Sequence, residues 1–182
     1  MEKRTVVNLG SGKDYRESVE QIRWINVDNL SEYPDARVDK NVDLDKIPYP
    51  FKANSVDEIY CNHVLEHLKE PDKVLRELHR ILKPDGLLVL NVPYFTRGYA
   101  VHVHWHGFSI WSVLEDTRGL FEAVSVKLVW DDPDNFKSMS FLLKPFCMFW
   151  NWLLNRNHWF SERFLAYKFG GIAEVDFVLK KK

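Results

Sequence analysis

The chain has 182 residues with 25 Lys+Arg against 26 Asp+Glu, 46% hydrophobic side chains, 14% aromatics, eight glycines, eight prolines and two cysteines. That length buries enough surface to fold as one domain without a disulfide or metal staple. A net charge of −1 removes the basic footprint of a dedicated nucleic-acid binder, so no nucleic-acid partner is expected, and the composition excludes global disorder.

Cys61 and Cys147 are far apart and lack metal-ligand spacing, which reads as two reduced thiols in a cytoplasmic protein. The N-terminus carries no apolar signal-peptide core. The stretch 139–154 is membrane-like in composition, but it is shorter than a spanning helix and is interrupted at Lys144-Pro145.

Strand-like and helix-like segments alternate, the pattern of a parallel sheet covered by helices. Thr5–Leu9 is a short apolar run stopped by Gly10-Ser11-Gly12, and Trp24–Val27 is a second, ended by Asp28. Only residues 13–23 separate the glycine turn from that second run, leaving room for a short helix at best and thin cover on one sheet face. Arg37–Val42 is a weaker third strand because of its charges; Val56–Cys61 is a fourth and Leu87–Val92 a fifth. From Pro71 to Leu82, the apolar residues Val74, Leu75, Leu78, Ile81 and Leu82 fall on one face of a 3.6-residue period. Pro71 suits the first helical turn, and Lys83-Pro84-Asp85-Gly86 reads as a stop followed by a turn.

Beyond Pro93, Phe108–Arg118 reads as a helix, while Phe121–Trp130 and Ala173–Lys181 read as strands. The lysines at 180–182 read as a solvated tail. Residues 131–172 form an aromatic insertion between the last two strands, too long for a structureless loop; they read as a small helical cap burying its own core, or else as a lid over an apolar or carbohydrate acceptor, a dimer surface or an interfacial membrane contact.

A strand, a Gly-x-Gly turn and an acid ending the next strand make a nucleotide-binding edge. Glycines let the backbone turn sharply beside a ligand, and Asp28 is placed to accept ribose hydroxyls. The phosphate signatures are absent: no Gly-Lys-[Ser/Thr] follows, and Tyr15 stands where a dinucleotide fold has its third glycine. A ligand with adenosine but no pyrophosphate fits the turn better.

Six stretches in register then carry a family resemblance. They are 6–12 (VVNLGSG), 25–28 (INVD), 42–48 (VDLDKIP), 54–59 (NSVDEI), 62–68 (NHVLEHL) and 78–86 (LHRILKPDG). Over about residues 5–93 the chain resembles the class I S-adenosylmethionine-dependent methyltransferases of the compact type-11 group. The resemblance implies a Rossmann-like α/β fold: a seven-stranded, mostly parallel sheet of order 3-2-1-4-5-7-6 with the seventh strand antiparallel. It also implies helices on both faces and a single domain over 1–182, with a cofactor half at 5–93 and a substrate half at 94–182.

It implies roles as well. The cofactor would be S-adenosyl-L-methionine, leaving as S-adenosyl-L-homocysteine. Asn8, Gly10, Ser11 and Gly12 would face its methionine part, Asp28 and Asn29 the ribose, and Asp43 and Leu44 the adenine. Asn62 and His63 would stand where amino acid and acceptor meet. Asn8 replaces the usual acid two before the first glycine, and Asp14 the third glycine.

In-line transfer of a methyl group needs no metal, and a base only for a hydroxyl or a protonated amine. The candidate bases are His63, His67, His104 and His106. His102, His104 and His106 alternate, so on a strand they would line one side and could hold a metal, although such a triad brings no carboxylate. The acceptor expected is a small molecule or a glycan-linked group, with peripheral membrane contact through 139–154 an added reading. A non-catalytic S-adenosylmethionine-binding module or partner subunit is the alternative, and an NAD-dependent oxidoreductase is disfavoured by the missing third glycine.

Overall fold

A computed structural model describes residues 3–31, 34–95, 104–129, 143–165 and 172–182. Strands β1 (Arg4–Leu9), β2 (Ile22–Asp28), β3 (Lys40–Asn41), β4 (Val56–Asn62), β5 (Leu82–Pro93), β6 (Phe121–Val129) and β7 (Glu174–Lys181) form one sheet of order β3-β2-β1-β4-β5-β7-β6. The first five pair in parallel, and β7 runs antiparallel to β5 and β6.

The buried strands arise from the apolar runs seen in the sequence. Register aligns Val7 with Ile25 and Ile59, and Ile59 with Leu88, which faces Leu179. Two residues on, Leu9, Val27, Cys61, Leu90 and Phe177 repeat the row. All these residues belong to one buried cluster. On this face lies α1 (Pro71–Ile81), which starts with proline in its first turn and buries Val74, Leu75, Leu78 and Ile81. The α2 helix (Ile110–Asp116) adds Ile110 and Val113, its start fixed by a capping box between Ser109 and Ser112.

The opposite face is thinly covered, as the short 13–23 spacing predicts. No helix forms between β1 and β2. Instead the loop is tied down by polar contacts: Asn26 Nδ2 donates to the Arg16 carbonyl (3.0 Å) and Arg16 N–H to Asn26 Oδ1 (2.9 Å). The Arg16 guanidinium then lies over Trp24 and Tyr60, 4.8 and 4.6 Å from the ring centroids. The nine residues between Gly12 and Ile22 are spent on this loop.

Other corrections are local. The expected third strand shrinks to Lys40–Asn41, and β5 pairs from Leu82 rather than Leu87, with a register shift opposite Val56–Glu58. Lys181 is no solvated tail residue. It ends β7 buried, its ammonium donating to Asn54 Oδ1, His79 O and Leu82 O at 2.6–2.8 Å.

The described part of the insertion is helical, with α3 (Leu143–Leu154) and α4 (His158–Phe160) continuing into a π-helical turn, Ser161–Leu165. Among its described residues it does not bury a core of its own aromatics: Phe146, Phe149, Trp152, Trp159, Phe160 and Phe164 are exposed. Residues 131–142, with Phe136 and Phe141, and His102 lie outside the described residues. Asn155 at the end of α3 exchanges two hydrogen bonds with the Leu128 backbone, closing part of the free edge of β6.

Candidate active site

The carboxyl ends of β1, β2 and β4 converge on a cavity of about 280 Å³. Its floor is the turn after β1. Gly10 and Gly12 adopt φ of +66° and +50°, a region closed to most side chains, and both the Gly10 and Ser11 N–H groups donate to the Val27 carbonyl at 2.8 and 3.1 Å. A Cβ on Gly10 would sit 2.3 Å from Val64 Cγ2, so the turn is pressed against the chain that follows β4. On Gly12 a Cβ would meet only Asp28 Oδ2, at 4.0 Å, so glycine there keeps cavity space free.

Asp28 ends β2 beside this turn. Its Oδ2 accepts from Gly12 N–H (2.5 Å) and its Oδ1 from Asn29 N–H (2.7 Å). Each carboxylate oxygen carries two lone pairs, so capacity remains for hydroxyl donors. Asn29, Asp43, Leu44 and Asp45 continue the wall. Asp43 is held below the ordinary carboxylate range by its bond to the Lys46 ammonium (3.0 Å), and the Leu44 carbonyl is fixed by the Tyr49 hydroxyl (2.8 Å).

Three carboxylates and no lysine or arginine line this space. Such a wall repels a pyrophosphate and suits a sulfonium or an ammonium. The donor set and the open space at Gly12 fit the adenosyl and methionyl ends of S-adenosylmethionine.

Of the residues singled out by sequence for the cofactor, Gly10, Gly12, Asp28, Asn29, Asp43, Leu44 and His63 are brought together here. Three others are not among the lining residues. Asn8 is buried and spends its amide on the Asp14 carbonyl (2.7 Å) and Asn26 Oδ1 (3.2 Å), holding the 13–21 loop. Ser11 is buried, its hydroxyl without a hydrogen-bond partner, and Asn62 is exposed.

The histidines divide by their neighbours. His63, at φ +51°, lies between two carboxylates: Nε2 to Glu174 Oε2 at 2.8 Å and Nδ1 to Glu66 Oε1 at 3.2 Å. Those bonds, Glu174 first, raise its pKa to about 10. Both ring nitrogens are thus engaged by carboxylates, and His63 ties Glu66 to Glu174. His67 lines the cavity and meets His104 edge to face, ring centroids 4.7 Å apart. His106 is turned to the Lys69 carbonyl (3.3 Å). His104 and His106 lie in an irregular segment, not on a strand, so the expected one-sided histidine row does not form among the described residues.

Glu66, which sequence reasoning passed over, is the hub of this corner. It is fully buried in the 3-10 turn Leu65–His67, and its carbonyl accepts from Trp105 N–H (2.7 Å), stitching the histidine segment to the turn. The available signal was the spacing His63-x-x-Glu66-His67 in an otherwise apolar stretch.

A second cavity, of about 510 Å³, opens beyond the end of β5, lined by Tyr94, Ser109, Trp111, Trp159, Glu162 and Arg163. Burial raises the pKa of Glu162, which accepts from Ile110 N–H (2.8 Å).

Residues 20–90 match the family model described as a methyltransferase domain. The demethylmenaquinone methyltransferase of Clavibacter sepedonicus is 28% identical over 104 residues, 53% of this chain and 42% of its own. The phosphoethanolamine N-methyltransferase 2 of Caenorhabditis elegans is 27% identical over 75 residues, 41% of this chain and 16% of its own. The chain thus spans less than half the length of these curated relatives. A SAM-dependent methyltransferase from Archaeoglobus fulgidus shares the fold, with a TM-score of 0.65 at 15% identity over 98% of this chain and 86% of that one.

Proposed function

We propose that the chain, whose residues 20–90 match a methyltransferase-domain model and whose fold is shared with a SAM-dependent methyltransferase, binds S-adenosyl-L-methionine in the acid-lined cavity and methylates a small-molecule or glycan-linked acceptor. One observation carries the cofactor half of this reading: the Asp28 carboxylate and the Gly10–Gly12 turn share one wall, with Asp43 and Leu44 further along it.

The bound sulfonium supplies an electrophilic methyl carbon and leaves as a thioether. The chain's own residues bind, orient and dry the site. Asp28 and Asn29 take the ribose, Asp43 and the Leu44 backbone the adenine, and the glycine turn the methionyl portion. Alignment alone contributes on the order of 7–11 kcal/mol to such a displacement. His67 lines the cavity wall, its ring edge to face with that of His104, and the acceptor would be seated beside it.

The acceptor reading draws on the second cavity. Both cavities open at the carboxyl edge of the sheet, where open α/β folds take their ligands. Trp111 and Trp159 offer flat apolar faces and Glu162 an acceptor for hydroxyls, a lining that suits a sugar ring. The exposed Phe146, Met148, Phe149 and Trp152 of α3 support peripheral contact with a lipid surface, as a glycan on a lipid carrier would require. No helix among the described residues is long and apolar enough to cross a membrane. A cytoplasmic site of action fits the two buried free thiols.

Incubation with methyl-labelled S-adenosylmethionine and a panel of glycans, lipid-linked sugars and small metabolites tests the proposal. Label transfer to one class supports it. Tight binding of S-adenosylhomocysteine with no transfer to any fraction of a source-cell extract would replace it with the non-catalytic module.

A further inference from the structure

We propose that Glu66, His67 and His104 form a binding site for one divalent transition-metal ion of the zinc class, set in the wall of the cofactor cavity. Each residue presents one ligand atom, and these atoms lie within 4.8 Å of one another. One carboxylate and two imidazoles are a donor set that zinc takes readily with a fourth position open. Zinc bonds of about 2.0–2.1 Å place tetrahedral ligand atoms roughly 3.3 Å apart, so only a modest inward adjustment is needed.

Three observations separate this corner from an incidental histidine pair. Glu66 is fully buried, yet its Oε2 has no hydrogen-bond partner, and His104 Nδ1 is buried and equally unpartnered. Burying a carboxylate oxygen with nothing to bond is costly, and a cation between these atoms removes the cost. The two rings stand at 79° rather than stacked, an edge-on approach that suits convergence on a common point. Finally, both ligand-bearing segments are held: His63 fixes the other Glu66 oxygen at 3.2 Å, and Trp105 N–H, next to His104, bonds the Glu66 carbonyl at 2.7 Å. Orientation of the ligands by such supporting bonds is what a metal centre requires.

His67 also lines the cavity, so an ion held here stands at its edge, with the open coordination position available to an oxygen or nitrogen of the acceptor. Coordination would lower the acceptor's pKa and ease loss of its proton to solvent as the new bond to carbon forms. That role rests on the proposed methyl transfer, whereas metal binding itself does not.

The test therefore reads metal binding first. Metal-free full-length protein, wild type and the variants Glu66→Gln and His104→Ala, is titrated calorimetrically with zinc chloride and separately with S-adenosylhomocysteine. The expected result is one zinc per wild-type chain. Either variant should bind zinc more than about 100-fold more weakly, beyond the 10–100-fold typical of losing a merely supporting group, with S-adenosylhomocysteine affinity in His104→Ala essentially unchanged. Cobalt(II) added to the wild type should give intense tetrahedral ligand-field bands, a readout that needs no variant to fold. Absence of stoichiometric zinc and of those bands, or wild-type zinc affinity in both folded variants, overturns the site. Failure of S-adenosylhomocysteine to bind while zinc does would instead sink the cofactor reading and leave the metal site standing.

Discussion

Replacing Gly10 by alanine loads two separate costs onto one atom. At φ +66° a Cβ crowds the following carbonyl, roughly 1–2 kcal/mol for a non-glycine residue. The same Cβ lands 2.3 Å from Val64 Cγ2, an overlap that must be relieved by moving a nearly buried side chain, typically about 1–3 kcal/mol. Together these give a loss of about 2–5 kcal/mol, or roughly 4–20 °C in Tm for a domain of this size. The two parts can be separated. Val64→Ala removes both clashing methyls and leaves Val64 Cβ at 3.4 Å, an ordinary contact. The double variant Gly10→Ala/Val64→Ala should therefore be less destabilised than the sum of the singles by about 1–3 kcal/mol, with the backbone part remaining. Urea unfolding of all four proteins measures this coupling. Strict additivity, or a Gly10→Ala variant as stable as wild type, would refute the packing of the glycine turn against the segment after β4, and with it the shape of the cavity floor.

Three further outcomes are expected. Glu162→Gln should stabilise the protein at neutral pH by about 1–2 kcal/mol, because a half-satisfied buried charge becomes a neutral amide. Its folded-state pKa is raised above the usual 4.5, so the wild-type penalty is present above the folded value and fades as pH falls toward 4.5; thermal melts between pH 4.5 and 7.5 should show the two proteins converging on the acid side. Lys181→Met strands three acceptors, Asn54 Oδ1 and the His79 and Leu82 carbonyls, and should cost about 1–3 kcal/mol in urea unfolding, where a solvated tail lysine would cost nothing. Once an acceptor is in hand, Trp159→Ala should raise its KM while the affinity for S-adenosylhomocysteine stays at the wild-type value, because Trp159 lines the second cavity and not the first.

The cofactor half of the fold is legible because its signals are local. The apolar runs of β1, β2 and β5 and the one-sided α1 each need only a few adjacent residues to declare themselves, and the Gly10–Gly12 turn with Asp28 declares its cavity wall in the same way. The histidine corner is different. His63 reads as a histidine with a free ring until Glu174, 111 residues away, is brought beside it by the pairing of β7 with β5, and both ring nitrogens are then engaged by carboxylates. Glu66 is a charged residue in an apolar stretch, and nothing local says that it is fully buried. The Trp105 hydrogen bond brings His104 to it. Lys181 misleads for a related reason: a terminal lysine run reads as solvent-loving, and the carbonyls that bury it come from α1 and the start of β5.

The adenosyl-binding claim is tested most directly by calorimetric titration of S-adenosylhomocysteine into wild type and Asp28→Ala, with thermal unfolding run alongside. One site per chain is predicted in the wild type, and in the folded variant an affinity weaker by about 1–3 kcal/mol, which is roughly 5–150-fold in Kd. No binding by the wild type, or equal binding by a folded Asp28→Ala, would contradict it.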